Sequence, residues 1–268
     1  MKKGWLIGPV MYVFMIAGLF ATWMNLEPSF LVNLFDQGGY SPVEIATIPF
    51  FFGIVPAIWL FNPFEGSKKR RIILALIVSV VALMAIVKEL DLHNAFLHYL
   101  YPEYVTESGS IDPAAGLFKP SGKPLTGTPF KMRVLTNAGI PLAMKCWIVS
   151  YFVLFFGFFA AGFAYLFPTW VKGVFKLDAA SWSWGCFGAS GVMVQLADRI
   201  PAWLGHAEGL GEKHGEIVTA GTSLCTCLEE GGELMIAVFA LVTIFLGFID
   251  KDNREWEKKR SSVCGIVR

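Results

Sequence analysis

Apolar residues fall in six long blocks along the chain, at about 5–24, 43–61, 72–92, 139–167, 182–203 and 224–249. Each approaches or exceeds the roughly 20 residues that a helix needs to cross a bilayer. The blocks are continuous rather than alternating, which excludes an outer-membrane barrel. The pattern predicts an all-α polytopic transmembrane bundle of six spans, forming a single integral membrane domain over 1–268. Pro56 lies inside the second block and predicts a kink there.

The polar positions between the blocks set the topology. Lys2 and Lys3, the run Lys68-Lys69-Arg70-Arg71, Lys172 with Lys176, and Lys258-Lys259-Arg260 alternate with loops poor in basic residues. Under the positive-inside rule this puts both termini, and the charged tail 250–268, in the cytoplasm. Two lysines before an apolar run also fit a signal peptide, but the first block is long for one. The segment 93–137 is a long outer loop rich in Pro, Gly, Ser and Tyr. Its aromatic content predicts that it folds over the mouth of the bundle.

Composition agrees with the class. The chain is 55% hydrophobic and 16% charged, against about 25% charged in soluble domains. A net charge of +1 gives no basic field for nucleic acid. The five cysteines show no disulfide framework: Cys225 and Cys227 share a helix start but point to different faces. The expected setting is the bacterial cytoplasmic membrane, with the lipid bilayer as the first partner.

Charge near the blocks is the unusual chemistry, because an ionisable group in hydrocarbon must be paired, neutralised or hydrated. Glu89, Asp91 and His93 end the third block. Lys145 lies early in the fourth, Asp198 and Arg199 late in the fifth, and Glu229, Glu230 and Glu233 early in the sixth. In a six-span topology all nine fall toward the outer face. Glu229 and Glu233 share a helix face, as do Glu230 and Glu233. Lys145 is the expected partner for one of these carboxylates. Gly231 and Gly232 are expected to open space beside Glu233. Spans one and two, without such charge, are expected to be peripheral.

Other motifs carry less. Gly188-Ala189-Ser190-Gly191 resembles the serine motif of rhomboid intramembrane proteases. Its histidine candidate, His206, follows the same span, no further rhomboid signature is present, and small-residue helix packing accounts for the match. His93 and His98 are five apart, off one helix face, while His206 and His214 fall in a glycine-rich loop. The Glu-x-x-His pairing of helical metal sites is absent, so metal ligation by the histidines stays open and no cofactor is identified.

Four segments together resemble a pattern in uncharacterised bacterial multi-pass inner-membrane proteins, across spans three to six. They are Lys88-Glu89-Leu90-Asp91-Leu92-His93; Phe130-Lys131 before Pro141-Leu142 and Lys145; Leu196-Ala197-Asp198-Arg199; and Leu228-Glu229-Glu230 with Glu233. The resemblance implies no activity. Three readings stand. The acidic cluster binds or transports a proton, cation or small polar solute. Alternatively its charges lock helices in an accessory subunit whose aromatic stretch, Phe152 to Phe159, meets a membrane partner or a second copy. The third reading is a membrane enzyme acting on a lipid.

Overall fold

The computed structural model describes residues 4–35, 41–119, 122–205 and 215–263. All regular structure in them is helical. A 3-10 turn at Gly4–Leu6 leads into α1 (Ile7–Asn25), followed by short α2 (Pro28–Phe35), α3 (Pro42–Phe61) and α4 (Lys68–Glu89). The segment between α4 and α7, named the outer segment for its expected side of the membrane, holds α5 (Leu92–Leu100) and α6 (Met132–Leu135). Three long helices complete the chain: α7 (Leu142–Phe175), α8 (Ala179–Gly205) and α9 (Gly215–Val263).

Among the described residues five helices are long and apolar enough to cross a membrane: Gly4–Asn25, Pro42–Phe61, Lys68–Glu89, Leu142–Phe175 and the Gly221–Asn253 part of α9. The chain is thus a helical integral membrane protein. Among the described residues α8 does not join this set, although it has 27 residues. Ser181, Ser183, Ser190, Gln195, Asp198 and Arg199 dilute its apolar character. Some of these groups are served inside the bundle. Ser183 meets the Thr243 hydroxyl of α9 at 3.1 Å, and Ser190 donates to the Cys186 carbonyl one turn back.

Helix starts follow local chemistry. Ser41-Pro42-Val43-Glu44 forms a full capping box: the Ser41 hydroxyl accepts from the Glu44 amide, and the Glu44 carboxylate accepts from the Ser41 amide. Ser67 caps α4, drawing the basic run into its first turn. α3 continues through Pro49 and Pro56 without a break, as transmembrane helices tolerate when neighbours surround them.

α9 is the hub. It packs on α8 along most of that helix, on α3, and on α1 and α2. The helices α3, α4, α7, α8 and α9 form a ring, each packed on the next and α9 back on α3. α3 is therefore central, not peripheral. Its Phe51, Ile54, Ala57 and Ile58 share one core with Ala82 and Ile86 of α4 and Ala237 and Ile244 of α9. Lack of charge does not push a helix outward; α3 is apolar all round and can bury any face. α1 is peripheral, with Gly8 its one buried residue.

The outer segment carries its own core. Leu97, Val105, Ile111, Leu117, Leu125 and Val134 are buried together with Met144 and Ile148 from the first turns of α7. Two isolated antiparallel bridges, Val105 with Ile111 and Phe118 with Pro124, shape it. Gly109 closes the first turn at φ +74°, where a side chain would run into Asn94. Phe152 packs against this core and against Phe130, with ring centroids 5.8 Å apart. That residue of the expected partner-facing stretch is used internally.

Candidate functional site

The acidic residues lie on the stripes that build the core. On α4, Ala75, Ala82 and Ile86 are buried, and Glu89 continues their face at the next step of three. On α9, Ala237 and Ile236 face the α3–α4 core, and Glu233 precedes them by one turn on the same face. Glu89 and Glu233 therefore meet where the apolar core ends. Their side chains are 5% and 14% exposed.

The cation between them is Lys88. Its Nζ lies 2.5 and 2.6 Å from the two oxygens of Glu233 and 3.1 Å from Glu89 Oε1. The lysine side chain is half-exposed, its stem lying along the helix while its head reaches the carboxylates. Glu230, one turn earlier on α9, is half-buried. The charges acting on it are Glu233, Lys88, Glu44 and Glu229. The cluster thus joins the first turn of α3, the last turn of α4 and the α9 segment from 229 to 233.

Lys145 is not the counter-ion. Among the described residues it forms no ion pair, and it sits half-buried beside Met144 at the foot of the outer core. A position along the sequence does not fix which way a side chain faces around its helix. Arg199 pairs with its neighbour Asp198 at 3.6 Å, both more than half exposed, and neither is ion-paired to the cluster. Asp91 turns toward the outer segment at φ +50°, accepting from Asn94 at 2.6 Å. Two participants escaped the sequence reading. Lys88 has the look of an interface cation closing a span. Glu44 was marked by its capping box, which fixes it at the start of α3 and hence at the same end as Glu89.

Gly231 and Gly232 do not open space. A Cβ on Gly231 would collide with Leu19 of α1, and one on Gly232 would lie 2.6 Å from Val194 and 2.9 Å from Met193 of α8. They are contact points where α1 and α8 press on α9.

His93 belongs to the outer segment. Its ring stacks on Tyr151 at 5.3 Å and 13°, meets Phe130 edge-on at 4.7 Å, and lies 3.9 Å from Asp91. Burial lowers its imidazole below the ordinary range and nearby Lys88 adds to this, while the Val87 carbonyl and Asp91 act the other way. The folded protein therefore holds neutral histidine, and the unfolded chain takes up the proton first. This contribution to stability is complete above the ordinary pKa of about 6.5 and is lost as pH falls below it. Hydrogen exchange of the outer segment is expected to quicken on acidification through that range, and less so in His93→Phe. Equal acid sensitivity in both proteins would remove the role of His93.

His98 donates its Nδ1–H to the Val105 carbonyl, 2.6 Å away, within the same segment. His206 and His214 lie outside the described residues. Among the described residues no three His, Cys, Asp or Glu side chains are grouped to hold a metal. The buried Ser190 hydroxyl is committed to its own helix, in keeping with a packing role for the Gly-Ala-Ser-Gly stretch. No protein-family model matches the sequence, and no curated protein or solved structure matches it either.

Proposed function

We propose that this chain is a six-span protein of the bacterial cytoplasmic membrane that binds a proton or a small cation at the Lys88–Glu89–Glu230–Glu233 cluster, as a step in transport. Both termini face the cytoplasm in this reading, and α8 is the sixth span. The basic residues support the orientation, and reporters fused at Arg71 and Arg268 should both read cytoplasmic.

One observation carries the binding reading. Glu230 is half-buried and makes no hydrogen bond or ion pair with the described residues, while three further carboxylates and a single ammonium surround it. Glu89, Glu230 and Glu233 against the one ammonium of Lys88 leave more carboxylate than cation at this point of the bundle, which favours uptake of a proton or cation there. The Lys88–Glu233 bridge alone also fits an accessory subunit whose charges lock α4 to α9. Glu230 separates the two readings because no helix contact depends on its charge.

Glu230→Gln is expected to leave folding and insertion intact. It should abolish the dependence of thermal stability on monovalent and divalent cations that the wild-type protein shows in detergent, and reduce its pH dependence to the part that His93 contributes. A wild-type protein indifferent to both, or a variant that keeps the full dependence, would sink the binding reading and leave the lock.

A further inference from the structure

The opposite end of the bundle holds a cavity of about 760 Å³. It lies inside the ring, between the start of α1, the end of α3, the start of α4, the end of α7, the start of α8 and the late part of α9. Its inner wall is apolar, with Ile58, Leu74, Val78, Leu166 and Ile244. Its polar rim carries three cations, Arg70, Lys172 and Lys176.

Those cations are not neutralised within the described residues. None of the three has a carboxylate within ion-pairing distance. Three acids also line the rim: Glu65, Asp178 and Asp250. Asp178 is committed to the start of α8, accepting from the Ser181 amide at 2.9 Å and its hydroxyl at 2.7 Å. Glu65 and Asp250 have interactions of their own. The Nε of Arg71, next to Arg70, is buried without a hydrogen-bond partner. Tryptophans mark the level of a membrane interface. Trp170 donates its indole N–H to the Ser181 carbonyl at 2.8 Å, joining α7 to α8, and Trp5 packs on Trp182 at 5.2 Å.

An apolar chamber rimmed by cations that have no ion pair among the described residues, at the level of the tryptophans, suits a molecule with a phosphate head and a hydrocarbon tail. We propose that this cavity is a binding site for one anionic phospholipid, its phosphate held by Arg70, Lys172 and Lys176 and its acyl chain lying against Leu74, Val78 and Leu166. The site is independent of the glutamate cluster, which lies at the other end of α4 and α9. Loss of either leaves the other to be measured.

The test uses the full-length protein in nanodiscs of phosphatidylcholine with a minority of phosphatidylglycerol, and native mass spectrometry of the lipid retained on release. Wild-type protein is expected to retain one phosphatidylglycerol in preference to phosphatidylcholine. Arg70→Gln/Lys172→Gln/Lys176→Gln is expected to weaken that retention roughly 100-fold, from about fivefold per cation. Leu166→Trp keeps the charges and fills the apolar wall, and should also reduce retention. Should the triple variant fail to fold, Lys176→Gln alone, at an exposed position, carries the test at about fivefold. Equal retention by wild type and the charge variants overturns the proposal. So does displacement by glycerol phosphate with Leu166→Trp unaffected, which would mark a site for a soluble phosphate.

Discussion

Lys88→Met is expected to cost the protein about 2–3 kcal/mol, while Glu233→Gln costs only about 1 kcal/mol. The difference comes from what each change leaves behind. Without Lys88, the carboxylates of Glu89 and Glu233 face one another at the end of the core with no cation between them, and one of them is 5% exposed. Without the Glu233 charge, Glu89 still holds the ammonium at 3.1 Å. Breaking a fully buried pair costs about 3–5 kcal/mol; the half-exposed lysine lowers the figure here. The double variant Lys88→Met/Glu233→Gln should be clearly less destabilised than the sum of the two, since it removes the repulsion that the single lysine change creates. Denaturation of the three variants in one detergent measures this. Additive losses, or a Lys88→Met protein as stable as wild type, would mean that the bridge contributes nothing to the fold.

Gly8→Leu is expected to force α1 away from α8, at about 3 kcal/mol, the upper end of the usual range for overpacking. A Cβ at Gly8 would lie 2.8 Å from the Cα of Ser183 and 3.0 Å from its amide nitrogen. These are backbone atoms, so no side chain can swing aside; one helix must move. The movement would disturb the Trp5–Trp182 contact and the bond from Thr243 to Ser183. Gly18→Leu is the control, because nothing lies within 4 Å of a Cβ there, and its stability should stay near wild type. Equal unfolding temperatures for the two variants would show that α1 rests on α8 without close backbone contact.

The helices were legible because a bilayer crossing demands a long apolar run, although the 182–203 block proved too polar to qualify on that ground. Their ends were less so. α4 begins four residues before its apolar block because Ser67 caps it, and α9 runs on to Val263 through the charged tail. The site was legible as a problem and not as a solution. Glu89, Glu230 and Glu233 stood out because charge is costly there, but which lysine answers them depends on helix rotation. Lys88 shares a helix turn with Glu89 and reaches across to Glu233 of α9, whereas Lys145 forms no ion pair among the described residues. Gly231 and Gly232 were open to two interpretations until the neighbours that press on them, Leu19, Val194 and Met193, were in view.

The outer segment borrows part of its interior from the helix that follows it. Met144 and Ile148 of α7 are fully buried among Leu97, Val105 and Val134, and Tyr151 of the same helix supports His93. A segment built this way cannot finish folding when it first emerges from the membrane after α4. It must wait for the start of α7 to be made and seated. Assembly of this segment is thereby tied to the order of synthesis, and an α7 that failed to insert would leave both a missing helix and an unfolded cap.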